Sequence, residues 1–293
     1  MKFHNVKTDL HTHVVSNLEE SGVWERIWVD LLGNRRVKSL EEFVIACSRQ
    51  NQNTLVGITN FSGNGMYETI MHSIEKMPKS IEIYDEHKDV YIGARSEKGF
   101  WHFFLRTEEI PTDKTRVLVA GSREDIGTRN LEEVLRISEE RGYLTVALRP
   151  ENKFMNRIAE RILHRQKNLC LSKESFEKYS GRFDVLEVFN SSYPRMFSEN
   201  ERLAKENHIP GIYSSEAYRI DSLFNGNFTM EEIDFSNPKS LITSIKKGLQ
   251  ERRYFAKIVR EKGFFENALH KISTIYAPIA ISLGLLKEKK YYE

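Results

Sequence analysis

Asp9-Leu10-His11-Thr12-His13 sets two imidazoles two residues apart on a short apolar segment. Val6 precedes it and Val14 and Val15 follow, which is the composition of a buried strand carrying polar residues. Alternate side chains of a strand share a face, so Asp9, His11 and His13 are expected to point one way and Leu10, Thr12 and Val14 the other. Two neutral imidazoles on one rigid face can ligate a single zinc-like divalent ion. A polar strand end with surface histidines gives the same pattern, and H-x-H alone does not separate the two.

Further chemistry-bearing residues follow in order. Ile58-Thr59-Asn60-Phe61 ends an apolar run, and Gly93-Ala94-Arg95 ends another. His102 lies in Trp-His-Phe-Phe-Leu, Arg149-Pro150 follows a further run, and Leu186-Glu187-Val188-Phe189-Asn190 and Ser214-Ser215-Glu216-Ala217-Tyr218 come last. In order and kind these segments resemble the PHP (polymerase and histidinol phosphatase) family of metallohydrolases, over about residues 5–250. The resemblance implies a distorted (β/α) TIM-like barrel with histidines and carboxylates at the C-terminal ends of its strands, where metal ions activate water and clamp a phosphate.

Motif by motif, the resemblance implies an uneven ligand set. His11 and His13 match the paired histidine ligands. The family's Ile-Thr-Asp-His reads Ile58-Thr59-Asn60-Phe61 here, which loses a base and a ligand. Its Gly-x-Glu, whose glutamate bridges two metals, reads Gly93-Ala94-Arg95, with Glu97 on the same face as a substitute. His102 retains a fourth-motif histidine, whereas Arg149 stands where another is usual. In the last motif Glu216 replaces aspartate and Tyr218 replaces histidine. His11, His13 and Glu216 belong to one metal position, so the expected metal ligands are His11, His13, His102 and Glu216. Two imidazoles and a carboxylate suffice for one divalent transition metal such as zinc, manganese or iron, or the site holds none. A guanidinium at Arg95 would repel a nearby cation. Arg95 and Arg149, with Asn60, Asn190 and Tyr218, are therefore the expected anion-binding residues, since arginine matches phosphate oxygens bidentately. The two arginines equally suit structural ion pairs with Glu97, Glu187 or Glu216.

The elements that must position these residues alternate. Ser39 and Glu42 form a capping box before a helix, Leu55–Thr59 reads as a buried strand, and a helix over 66–77 stops at Pro78. Strands are expected at 81–84, 90–94, 100–105, 117–120, 143–148, 184–190 and 211–215, and helices at 130–142, 154–167, 198–207 and 240–250. The alternation predicts a parallel sheet closed or nearly closed into a barrel over residues 1–255. Residues 256–293 carry an apolar stripe, interrupted by Pro278, and read as a C-terminal helical extension, a homodimer patch or an interfacial membrane contact with a basic edge.

Composition narrows the classes. The 293 residues are 40% hydrophobic and 29% charged, as in soluble globular proteins, and the net charge of +2 gives no signal for nucleic acid. Two cysteines, Cys47 and Cys170, form no CxxC, and no apolar leader or span of ~20 residues is found, so a cytoplasmic location is expected. Three functions follow: a one-metal phosphoesterase acting on a phosphorylated small molecule, a metal-free protein binding such an anion, or an assembly scaffold.

Overall fold

A computed structural model describes residues 1–13, 39–61, 65–148, 173–191, 197–217 and 222–259. Eleven strands form one sheet: β1 (Lys2–Thr12), β2 (Thr54–Phe61), β3 (Glu82–Tyr84), β4 (Tyr91–Arg95), β5 (Trp101–Pro111), β6 (Arg116–Ala120), β7 (Leu144–Ala147), β8 (Val185–Asn190), β9 (Gly211–Ser214), β10 (Gly226–Asp234) and β11 (Tyr254–Ile258). The helices are α1 (Leu40–Ser48), α2 (Met66–His72), α3 (Leu131–Arg141), α4 (Lys173–Tyr179), α5 (Phe197–Glu206) and α6 (Pro238–Gln250). Local chemistry sets their ends. Ser39 and Asn130 cap α1 and α3 through their side chains, Gly142 closes α3 at φ 73°, and Pro238 opens α6 behind the Asn237 cap.

β1, β2 and β5 run parallel, as do β7, β8 and β9. Between the two groups β6 runs antiparallel to both neighbours, so the expected all-parallel sheet is corrected to a mixed one. The cause is the turn from β5 to β6, four residues long, in which the Thr112 N–H donates to the Thr115 carbonyl at 2.7 Å. A parallel crossover needs a dozen residues or more. The hairpin β3–β4 adds to the other side of β5, also antiparallel. The barrel closes where Thr12 bridges Ala217 and the His13 N–H donates to the Ala217 carbonyl at 2.7 Å. Lower on the same seam β10 pairs with β1. Gly226 makes that junction fit, because a Cβ there would lie 2.2 Å from the Ser214 carbonyl oxygen.

Three apolar clusters hold these layers. Leu55, Leu105, Leu118, Leu144, Val146, Val185 and Ile212 pack inside, joined by Leu241, Ile242, Ile245 and Leu249 of α6. Val56, Ile58 and Phe104 face outward onto α1 and α2, and Val117, Val119 and Leu186 face outward onto α3, α4 and α5. The expected α/β barrel is therefore the observed architecture. Of the expected C-terminal extension, residues 256–258 belong to β11, and 260–293 lie outside the described residues, as does the expected helix at 154–167. No helix among the described residues is long and apolar enough to cross a membrane.

Candidate metal centre

A bulge in β1 decides which side chains enter the barrel. Asp9 pairs with Val56, but Thr12 pairs with Ile58, so Leu10 and His11 together oppose Gly57. One extra residue shifts the alternation by one. Asp9 and Thr12 consequently lie in register with the outward-facing Val56 and Ile58, and His11 and His13 turn inward. This corrects the expectation that Asp9 shares their face. Gly57 permits the bulge, since a Cβ there would meet the Leu10 carbonyl oxygen at 2.1 Å.

The two imidazoles converge. His11 Nε2 and His13 Nε2 stand 3.0 Å apart, and Glu109 Oε2 lies 3.3 and 3.1 Å from them. His11, His13 and Glu216 each offer a donor atom within 4.8 Å of the others'. All four side chains are buried. Glu109 stands near the end of β5, where the alternation Leu105, Thr107, Glu109 brings it inward. β5 was expected to end at Leu105 and instead runs to Pro111.

Glu216 is presented by a constrained turn. Its φ is 43°, in the left-handed region that costs a non-glycine residue roughly 1–2 kcal/mol. Asp9 holds this turn, accepting hydrogen bonds from the Ser215 hydroxyl, the Ser215 N–H at 3.1 Å and the Phe224 N–H at 3.0 Å. Burial raises the Asp9 carboxyl to about 6 against the pull of these hydrogen bonds. The first residue of the Asp-Leu-His-Thr-His segment thus positions the centre from the opposite face of its strand.

Carboxylates surround His11. Its Nδ1 lies 2.9 Å from Glu187 Oε1, and Glu187 also accepts from Asn190 Nδ2 at 3.1 Å and from the Ser214 hydroxyl. Burial alone would lower the imidazole pKa. Attraction to Glu187 and Glu109 outweighs it and raises His11 to about 9. Arg116 donates to Glu109 Oε1 at 2.6 Å from the first residue of β6. Without a metal, the carboxylates are balanced by the His11 proton and Arg116. A divalent cation would take the place of that proton, as metal binding to histidine generally does. His11, His13 and Glu216 fit one borderline ion of the zinc type as two imidazole nitrogens and a carboxylate; Glu109 lies against both imidazoles and Glu187 behind one of them.

Other expected site residues stand elsewhere. His102 pairs in register with Thr54 at the start of β2, and its Nδ1 lies 3.0 Å from the Thr54 hydroxyl. Seven residues along β5 separate it from Glu109, roughly 23 Å, so it is not a ligand of this centre. Arg95 ends the antiparallel β4 opposite Trp101, exposed and paired with Glu82 at 3.1 Å. Glu97 lies exposed in the following turn. Asn60 is in register with the outward set and accepts from the Tyr67 N–H at 2.8 Å while donating to Glu68 at 2.9 Å, which ties it to α2. Asn190 does reach the centre, through Glu187. Arg149 and Tyr218 lie outside the described residues.

Sequence reasoning missed Glu109 and Arg116 as members of the centre and gave Glu187 no role beyond a possible ion pair. The available signal for Glu109 was the strand alternation carried four residues past Leu105.

No protein-family profile matches the chain, and no curated protein matches it. Among solved structures it is similar to PsfC from Pseudomonas syringae PB-5123, with a TM-score of 0.54 at 14% identity over 97% of this chain and 100% of that one. It is also similar to a two-domain protein from Bacteroides vulgatus ATCC 8482 containing a predicted PHP-like metal-dependent phosphoesterase (TM-score 0.48, 13% identity, 88% of this chain and 65% of that one). A third is the lesion-specific endonuclease PfuEndoQ from Pyrococcus furiosus (TM-score 0.42, 14% identity, 86% and 56%). This chain spans less than two thirds of the length of the last two. At these identities the likeness is one of fold.

Proposed function

We propose that the chain is a metal-dependent hydrolase of the PHP type, acting on a phosphorylated small molecule through one divalent ion held by His11, His13, Glu109 and Glu216. The observation that carries this reading is the convergence of His11 Nε2, His13 Nε2 and Glu109 Oε2 within 3.3 Å of one another at the barrel mouth. Fold alone would not support an activity, but buried donors from two strands, β1 and β5, and a closing turn gathered around the same pair of imidazoles do. A bound ion of this kind polarises a phosphoryl oxygen and makes water acidic enough to react near neutral pH. The protein's own residues supply the rest: Arg116 brings a permanent positive charge beside Glu109, and Asp9 fixes the turn that carries Glu216.

The ligand set again numbers four, with Glu109 in place of the expected His102. Glu109 of β5 supplies a carboxylate that the resemblance, with Arg95 in its Gly-x-Glu segment, did not provide. The reading remains a one-metal site.

Elemental analysis of the purified protein, beside a His11→Ala, His13→Ala double variant, tests this directly. About one zinc, manganese or iron per chain is expected, lost in the variant, with phosphomonoester hydrolysis lost alongside it. Metal in neither protein after incubation with all three ions overturns the reading and leaves an ion-paired pocket without hydrolytic means.

A further inference from the structure

His11 meets His13 and Glu109 through one ring nitrogen, Nε2, whereas Glu187, buried at 1% exposure inside the barrel, meets it at the other, Nδ1. Its carboxylate gathers three groups from three strands: His11 Nδ1 of β1 at 2.9 Å, Asn190 Nδ2 of β8 at 3.1 Å, and the Ser214 hydroxyl of β9. Burying a carboxylate costs several kcal/mol unless it is paired and hydrogen-bonded. That cost is offset here by contacts that all converge on one imidazole and its neighbours.

We propose that Glu187 is the positioning residue that makes His11 a metal ligand, by holding the His11 proton on Nδ1 and leaving Nε2 bare toward His13 and Glu109. This rests on the metal-centre reading above. A neutral imidazole carries one proton on one of two nitrogens, and the hydrogen bond made by one nitrogen decides the state of the other. Carboxylates only accept, and one lies at each nitrogen of His11: Glu187 at 2.9 Å from Nδ1 and Glu109 at 3.3 Å from Nε2, where Glu109 is shared with His13 and Arg116. The shorter contact, to Glu187, selects the Nδ1–H form. Asn190 and Ser214 both donate to Glu187, which keeps its oxygens as acceptors and fixes their direction. The same geometry fixes the ring, whose Nε2 must meet His13 Nε2 and Glu109 Oε2 at 3.0 and 3.3 Å. Carboxylates that support a ligating histidine in this way typically change metal affinity by about 10–100-fold.

Glu187→Gln supplies the discriminating change. Its amide can present N–H to His11 Nδ1, which favours the form protonated at Nε2, the nitrogen that must face the ion. Zinc affinity by chelator competition is expected to fall about 10–100-fold. In the metal-free protein at pH 10, side-chain nitrogen shifts should report Nδ1–H for His11 in wild type and Nε2–H in the variant. Ser214→Ala removes one supporting donor without altering charge. It should cost zinc affinity several-fold while retaining Nδ1–H, and it keeps the test open if Glu187→Gln does not fold. Unchanged zinc affinity in a folded Glu187→Gln, or wild-type His11 protonated at Nε2, overturns the proposal. A wild-type protein that binds no zinc but shows Nδ1–H at His11 overturns the hydrolase reading and leaves Glu187's control of the ring standing.

Discussion

The two ends of the barrel hold the same kinds of residue under opposite electrostatics. At the C-terminal mouth, His11 is fully buried among Glu109 and Glu187, and its pKa rises to about 9. At the opposite end His102, equally buried, has a hydroxyl neighbour in Thr54, and burial lowers it to about 4. Both histidines sit on parallel strands of one sheet. Burial disfavours the imidazolium in each case, and the nearby carboxylates decide the sign. Arginine divides likewise: Arg116 reaches into the mouth to Glu109, whereas Arg95 lies on the far rim with Glu82, exposed to solvent. Position along the strand, more than residue type, separates chemistry from structure here.

The largest expected effect follows from removing the mouth's charge at its centre. Glu109→Gln keeps the side chain's shape but leaves a neutral amide between the two imidazoles and takes the carboxylate from Arg116. Zinc affinity should fall on the order of 100-fold or more, beyond the range typical for a residue one shell out. Competition against a chelator of known affinity measures it. Wild-type affinity in this variant would reduce the ligand set to His11, His13 and Glu216, and would make the mouth resemble the far end more than the structure implies.

Much of this contrast was readable in advance, and the unreadable part has physical causes. His11 and His13 were identifiable from residue type and spacing, and Glu216 through the resemblance of its segment to the family's last motif. Asp9 was misplaced because a single-residue bulge cannot be seen in hydrophobic period, and it inverted one side chain's face. His102 and Arg95 were drawn to the site by motif order. Order along the chain does not reveal that β4 runs antiparallel, or that β5 continues six residues past Leu105 to Pro111. Carrying the alternation through Thr107 to Glu109 would have found the missing acid, but two adjacent glutamates read as a strand's end. The Ser39 cap depends only on local chemistry and was read where it occurs, and the helix expected over 130–142 is the observed α3 with Asn130 and Gly142 as its caps.

A pH experiment sharpens the comparison from the other end. His102 has a folded pKa of about 4, below the usual 6.5, so the folded protein prefers it neutral. Its contribution to stability is therefore complete above pH 6.5 and is lost as pH falls toward 4. The shift corresponds to roughly 2–3 kcal/mol across that window. His102→Asn can keep a partner for the Thr54 hydroxyl and removes the titration. Its denaturant midpoint should therefore fall less than wild type between pH 6.5 and 4, with zinc affinity unchanged at pH 7.5. A loss of zinc binding in this variant would place His102 in the centre and break the division between the two ends.

Arg95→Ala should do least, and that small effect is itself informative. The Arg95–Glu82 pair is about half exposed on both sides, a setting in which ion pairs contribute about 0–1 kcal/mol. Arg95 aligns with Trp101, eight residues along β5 from Glu109, or roughly 26 Å. At physiological salt the screening length is about 8 Å, so its charge is negligible at the mouth. The unfolding free energy should change by no more than about 0.5 kcal/mol, while zinc affinity and inhibition by inorganic phosphate stay within about two-fold of wild type. Arg116→Gln, compared in the same assays, should weaken phosphate inhibition about tenfold, as expected for one lost charge-assisted hydrogen bond. If Arg95→Ala weakened phosphate inhibition and Arg116→Gln did not, the anion would be met at the far rim. The mouth would then hold a metal without the charge needed to orient a phosphorylated substrate.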